Sequence, residues 1–304
     1  MREIRSALSL LLVICLGALL LGGCILKPKT PEEVVAAVVQ NLSESQSISY
    51  DANIQADLSV NSGGETADMQ ITMNATADTI NNPLQLMTNV SIDMGSLGSQ
   101  KMQVYAEANG EQYDTYYSLD NGQTWTKRTL DAESFAQYQD GQNIKSYLSM
   151  LENIKENGTE TIGGVEAVRF DGDISSENMV AVLENAGVFS QFEQYGLDED
   201  AMKKACTELG DLPFSVWVDT KNDLPVRYQF DLGSALQRVM DSYLTSEATG
   251  DTSDISITVG KYDLEMTITG INTVKSIERP ANLDEAVTQE TPAPSQETAT
   301  QEAA

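Results

Sequence analysis

Histidine is absent from all 304 residues, and cysteine occurs only three times. Without an imidazole the chain lacks the usual side chain that titrates near neutral pH and the usual general base. Ser-His-Asp and Cys-His nucleophiles and histidine-bearing zinc sites are thereby excluded. Basic residues are scarce too: 18 Lys and Arg stand against 46 Asp and Glu, a formal net charge of −28. Such a surface repels phosphate backbones, so no nucleic-acid partner is expected. It also disfavours lying flat on an anionic lipid layer. No G-x-S-x-G elbow, phosphate loop or dinucleotide fingerprint occurs. Paired carboxylates remain as acid-base candidates, but among so many acids chance pairs are expected everywhere. The densest acidic spot, Leu197-Asp198-Glu199-Asp200, lacks the glycine and spaced ligands of a calcium loop. The chain therefore reads as non-enzymatic, with no catalytic residue, no metal site and no cofactor assigned.

The longest apolar run, Ala7 to Leu21, is also too short for a permanent membrane helix; spanning needs about 20 residues. Behind the basic start Met1-Arg2-Glu3-Ile4-Arg5 it has the layout of a secretory signal. At its end, Leu21-Gly22-Gly23-Cys24 resembles the lipobox of bacterial lipoproteins. That resemblance implies cleavage before Cys24 and a diacylglycerol on its sulfur, making the membrane a partner through an N-terminal lipid. The competing reading is an uncleaved anchor with an incidental cysteine. Two acyl chains hold a protein stably, at ~0.8 kcal/mol per buried methylene. Cys15 would leave with the signal, and Cys206 would then have no internal disulfide partner. The mature chain must rely on a buried core, and it is long enough to build one.

After a linker over residues 24–30, the stretch Thr30-Pro31-Glu32-Glu33 has the layout of a capping box. Val34, Val35, Val38, Val39 and Leu42 follow at helical spacing. The period then changes. Ile48, Tyr50, Ala52, Ile54, Ala56, Leu58 and Val60 alternate with polar residues, and Met69, Ile71, Met73, Ala75 and Ala77 continue the pattern beyond Asn61-Ser62-Gly63-Gly64. That is a long hairpin with one dry face. Further strands are expected at 84–94, 100–108, 111–118, 123–129, 159–162, 165–171, 212–219, 225–232, 255–260 and 262–270. Helical patterns are expected over 131–157, 175–209 and 233–244, the first two with breaks at glycine or beside it. The tail from 281 to 304, rich in Pro, Thr, Gln and Glu, is expected to be disordered. The domain layout is thus a signal over 1–23, a lipidated linker over 24–30, one domain over 31–280 and a tail over 281–304.

Ser118-Leu119-Asp120-Asn121-Gly122-Gln123-Thr124-Trp125 fits the S-x-D-x-G-x-T-W pattern known as the Asp box, familiar from sialidase propellers. Those propellers carry several copies, whereas one is present here. The expectation is a hairpin lock: the Asp accepts turn hydrogens, the Gly takes a backbone conformation closed to other residues, and the Trp packs beneath.

Residues 116–127 (YYSLDNGQTWTK), 158–174 (GTETIGGVEAVRFDGDI) and 216–232 (VWVDTKNDLPVRYQFDL) resemble, in order, hairpins of the LolA/LppX/LprG-like lipoprotein-carrier superfamily. The resemblance implies an α+β fold, a large curled antiparallel sheet forming a half-barrel with helices over its concave face. It also implies a hydrophobic cavity that takes lipid or acyl chains; covering helices that part and close would give cargo entry. The lining residues expected are Ile54, Leu58, Met69, Ile71, Met73, Val104, Phe214 and Val216. Ten methionines spread over strands and helices suit a surface that adapts to a variable chain, or fill gaps in an ordinary core. The expected location is the extracytoplasmic face of the cell membrane of a single-membrane bacterium. The alternative is a surface-anchored module with a solid core that binds an envelope protein and no small molecule; a carboxylate-based glycosidase stands third.

Replacing Cys24 by Ala is expected to release the protein to the medium or leave an unprocessed precursor. Cell fractionation with fatty-acid labelling checks this, and normal retention of a correctly cut variant contradicts the tether.

Overall fold

The structure, a computed structural model, describes residues 29–132, 135, 140–185, 199–246 and 255–289. The signal segment and Cys24 lie outside the described residues, as do residues 186–198, 247–254 and 290–304. The described chain forms, in order, α1 (Pro31–Ser43), β1 (Ser47–Ser62), β2 (Glu65–Asn81), β3 (Leu84–Asp93), β4 (Ser99–Asn109), β5 (Gln112–Ser118) and β6 (Thr126–Asp131). Then come α2 (Asp140–Ser149), β7 (Glu152–Ile162), β8 (Val165–Ile174), α3 (Ser176–Asn185) and α4 (Glu199–Glu208). The last elements are β9 (Leu212–Asp219), β10 (Leu224–Asp231), α5 (Gly233–Ser246), β11 (Ile255–Ile271) and β12 (Val287–Thr288). All twelve strands join one open, curled sheet in the order β12-β6-β5-β4-β3-β2-β1-β11-β10-β9-β8-β7. Every pairing is antiparallel except β12 with β6. The fold is the α+β half-barrel that the sequence predicts.

Alternation explains the sheet's two faces. β1 registers against β2 so that Ile48, Tyr50, Ala52, Ile54, Ala56 and Leu58 sit beside Thr79, Ala77, Ala75, Met73, Ile71 and Met69 on one side. The other side carries polar cross-strand pairs: Ser49 donates to Asp78 (2.5 Å), Asn53 to Asn74 (2.8 Å) and Ser59 to Asp68 (2.7 Å). Such pairs are the units that stabilise a sheet face.

β11 requires an extra device. Residues 255–260 and 262–270, expected as two strands, form a single strand whose register against β1 shifts twice. Asp57 faces Lys261 while Leu58 faces Val259, leaving Gly260 unpaired; Ser49 faces Gly270 while Tyr50 faces Ile268, leaving Thr269 unpaired. Each bulge moves the apolar set by one residue, so Ile257 and Val259, then Tyr262, Leu264, Met266 and Ile268, then Ile271 all stay on the inner side.

Helices roof that inner side. Val34, Val35, Val38 and Leu42 of α1 and Ile144 and Leu148 of α2 pack with Ile48, Tyr50, Leu86, Ala106, Phe170, Phe214 and Val216 in one large buried cluster. Helix α1 carries the expected capping box, with Thr30 and Glu33 bonding each other's backbone N–H. The Lys29–Asp223 ion pair (2.6 Å) ties its start, and Asn41 ties its last turn, its side-chain amide donating to the carbonyls of Asn222 and Asp223.

Two expectations change. The helix expected over 131–157 ends at Ser149, and Glu152–Asn157 joins the edge strand β7. Beyond Leu151 the sequence has no helically spaced apolar face, and Ile154 meets the core as a strand residue. Residues 281–289, expected to belong to a disordered tail, are placed against the sheet. Residues 272–289 run as a strap across the outer face, burying Leu283 among Tyr105, Tyr116 and Trp125, with Met87, Ile277 and Ala286 packed against them. Arg279 bridges Glu107 (3.1 Å) and Asp284 (3.2 Å), and β12 then pairs with the edge of β6.

Leu283→Ala is expected to lower unfolding free energy by about 2–3 kcal/mol. Val287→Ala, at an exposed position of the same strap, should stay within about 0.5 kcal/mol. Urea denaturation compares the two, and equal effects contradict the docked strap.

Candidate functional site

The eight expected lining residues all fall on the inner side of the sheet, but in two environments. Phe214 and Val216 are 1% and 0% exposed and belong to the packed core, where the Phe214 ring meets Phe230 at 4.7 Å and Tyr228 at 5.9 Å. Their side chains are packed into the core, where α1 and α2 close over this end of the sheet. Ile54, Leu58, Met69, Ile71, Met73 and Val104 are half-buried instead, and among the described residues they belong to none of the packed clusters.

Register brings the five residues of β1 and β2 together, while Val104 lies two strands away, opposite Thr88 at the level of Ala77. Ile54 faces Met73, Leu58 faces Met69, and Ile71 lies between them opposite Ala56. Val90 and Ile92 of β3 extend the surface by pairing with Ala75 and Met73, and Met102 of β4 sits opposite Val90. Sequence reasoning missed Val90 and Ile92, although their period-two spacing with Leu84 and Leu86 was the signal that could have found them. The result is an apolar strip across β1–β4 that continues the core toward the β1–β2 turn. Its methionines are flexible and polarizable, suited to variable contact surfaces. Other methionines do ordinary work: Met179 and Met266 are buried in the core and Met87 packs under the strap.

Polar groups cluster elsewhere. A cleft of about 630 Å³ between the strap and β4–β6 is lined by Glu107, Asp114, Lys127 and Arg279, on the side of the sheet opposite the strip. Its charges already satisfy one another. Burial pushes the Asp114 carboxyl up, but bonds from Lys127 (2.8 Å), Thr129 (2.7 Å) and Asn109 (3.0 Å) outweigh it and hold the group below the usual carboxylate range. Burial and the Glu107 carboxylate both raise Tyr105. Cys206 is buried and its thiol is raised by that burial, which suits packing rather than reaction. Trp217 is buried on the outer side, with the Arg169 and Arg227 guanidiniums 5.0 and 5.5 Å from its ring. Among the described residues no group of three or more acidic or cysteine side chains is arranged to hold a metal ion.

The Asp box is a hairpin lock. Asp120 Oδ1 accepts from the backbone N–H of Thr124 (2.9 Å) and Gln123 (3.0 Å) and from Ser118 Oγ (2.7 Å), and Oδ2 accepts from Thr124 Oγ1 (2.6 Å). Gly122 has φ +81°, and a Cβ there would meet the Gln103 side chain at 2.8 Å. Trp125 donates to the Gly122 carbonyl (3.2 Å) and enters the cluster that receives Leu283. The motif thus builds the seat of the strap.

Residues 30–163 match a family of unknown function (DUF6612). No curated protein matches the chain. Among solved structures it is similar to LprF from Mycobacterium bovis, at 12% identity over 82% of this chain and 96% of that one, with a TM-score of 0.46. It is also similar to the lipoprotein LppX from Mycobacterium tuberculosis, at 14% identity over 82% and 98%, with a TM-score of 0.42. A LolA-superfamily protein from Nitrosomonas europaea matches at 9% identity over 82% and 96%, with a TM-score of 0.18.

The bonds from Thr124, Ser118 and Gln123 hold the Asp120 pKa at about 2. A depressed folded-state pKa gives stability that is present above the unfolded value, near 3.9, and lost as pH falls through the folded one. The stability difference between the wild-type chain and Asp120→Asn should therefore be full at neutral pH and fade toward pH ~2. Denaturant titrations at several pH values measure it, and a difference independent of pH contradicts the lock.

Proposed function

We propose that this protein is a lipoprotein tethered through Cys24 at the extracytoplasmic face of the cell membrane, binding or transferring a hydrophobic molecule without catalysing a reaction. The observation that carries the reading is the half-buried strip Ile54, Leu58, Met69, Ile71, Met73 and Val104, which prolongs the inner face past the packed core. Apolar surface in contact with water carries a free-energy penalty of roughly 25 cal/mol per Å², and an acyl chain laid along the strip removes it. Specificity would come from the length and shape of the strip, because its residues offer no hydrogen-bonding side chain. The absence of histidine, the usual general base, supports binding over chemistry.

A second reading keeps the tether and drops the small molecule. Its support is the dense packing at the other end of the sheet, where Val38, Phe214, Val216, Ile144 and Leu148 are fully buried. In that reading the protein presents its surface to an envelope partner.

Native purification followed by solvent extraction and mass spectrometry should recover a co-purifying amphiphile, and a fluorescent fatty acid should bind saturably. Ile71→Glu and Met73→Glu place a charge in the strip and should weaken uptake by about tenfold or more, with little change in melting because both sites are half-buried. Absence of amphiphile together with absence of uptake overturns the carrier reading and leaves the interaction module.

A further inference from the structure

One stretch of strand backbone has no strand beside it on one side, and the short turn Gly95–Leu97 approaches it only at the Gln70 carbonyl. β2 pairs with β1 from Glu65 to Ile80, but its pairing with β3 begins only at Thr72. Among the described residues nothing pairs with the other side of Glu65–Ile71, and Glu65, Thr66, Ala67, Asp68 and Gln70 are exposed. The loop Gly63–Gly64, with both φ values positive, makes Ser62 and Glu65 the closing hydrogen-bonded pair of a two-residue hairpin. Alternation then turns the backbone N–H and C=O of Thr66, Asp68 and Gln70 away from β1, toward the open edge.

We propose that this edge receives an extended peptide segment of another protein in which apolar residues alternate with basic ones. The backbone groups call for a strand, since only another strand presents donors and acceptors at matching intervals. The side chains set its pattern. Met69 and Ile71 face the inner side and are half-buried, so the added strand needs apolar residues there. The outer side carries Asp68, and the whole segment from residue 30 to residue 100 contains nine acidic and no basic residues. Opposite charges across a strand pair stabilise it, while like charges oppose it. A second copy of this chain brings the same acidic edge, and residues 290–304 bring three Glu and no Lys or Arg. Neither has the required charge. The sheet already accepts a strand in this way at β6, where β12 is added along the edge. The inference is independent of the lipid reading: an empty strip leaves the edge unchanged.

The test uses the full mature chain and a fluorescent peptide alternating valine and lysine, with a valine–glutamate peptide as comparison. The lysine peptide should bind saturably, more weakly at high salt, and should slow amide hydrogen exchange at Thr66, Asp68 and Gln70. Gln70→Pro removes an N–H that the folded chain does not pair, and should reduce affinity about tenfold or more without lowering the melting temperature. Asp68→Lys should weaken binding of the lysine peptide and improve that of the glutamate peptide, which keeps the test decisive if the proline variant unfolds. Equal binding by the variants, protection mapped to β7 or to the strip, or loss of the exposed edge to dimerisation or to the chain's own tail overturns the proposal.

Discussion

The structure depends on keeping one apolar face continuous across the strands between the two edges of the sheet. A slip of one residue in any strand would turn its dry side chains to water. The constraint is tightest at β1 and β11, the long central pair, where Gly260 and Thr269 are left out of register so that two phase changes in the sequence become bends rather than errors. Because bulges raise the local twist, the devices that preserve the inner face also curve it. Curvature and dryness thus have the same origin, and the roof helices have a concave surface to cover.

The outer face is organised differently. Polar ladders cover β1 and β2, but β4 and β5 present Tyr105 and Tyr116 outward, and these need shelter. The Asp box supplies Trp125 and the strap supplies Leu283, so a hairpin lock and the C-terminal segment are two halves of one small core. Arg279, held between Glu107 and Asp284, fixes the strap's crossing point. This exposed ion-pair network matters more for geometry than for free energy, since surface pairs contribute about 0–1 kcal/mol.

Much of the fold was legible because its signals are local. The capping box before Val34, the seven-residue alternation of β1 and the glycine turns state their conformations directly in the residue order. What failed was the decision between periods in segments with few apolar residues. Glu152–Asn157 is nearly all polar, so its strand state comes from pairing with β8, which no window of sequence contains. Leu283 was likewise a single apolar residue whose partners lie more than 150 positions away. The lining was legible as a face but not as a depth. Phe214 and Ile71 alternate equally well, and only the placement of α1 and α2 decides that one is sealed while the other is half-open.

Where β10 ends, the Gln237 side chain of α5 continues its hydrogen bonding: its Nε2 donates to the Ile257 carbonyl (3.0 Å) and its Oε1 accepts from the Val259 N–H (2.6 Å). A side-chain amide thereby stands in for a strand residue. Matching donor–acceptor pairs recur along a strand only every second residue, roughly 6.6 Å apart. Helix α5 is therefore indexed to the sheet, able to sit at one notch or to jump a full one, but not to glide.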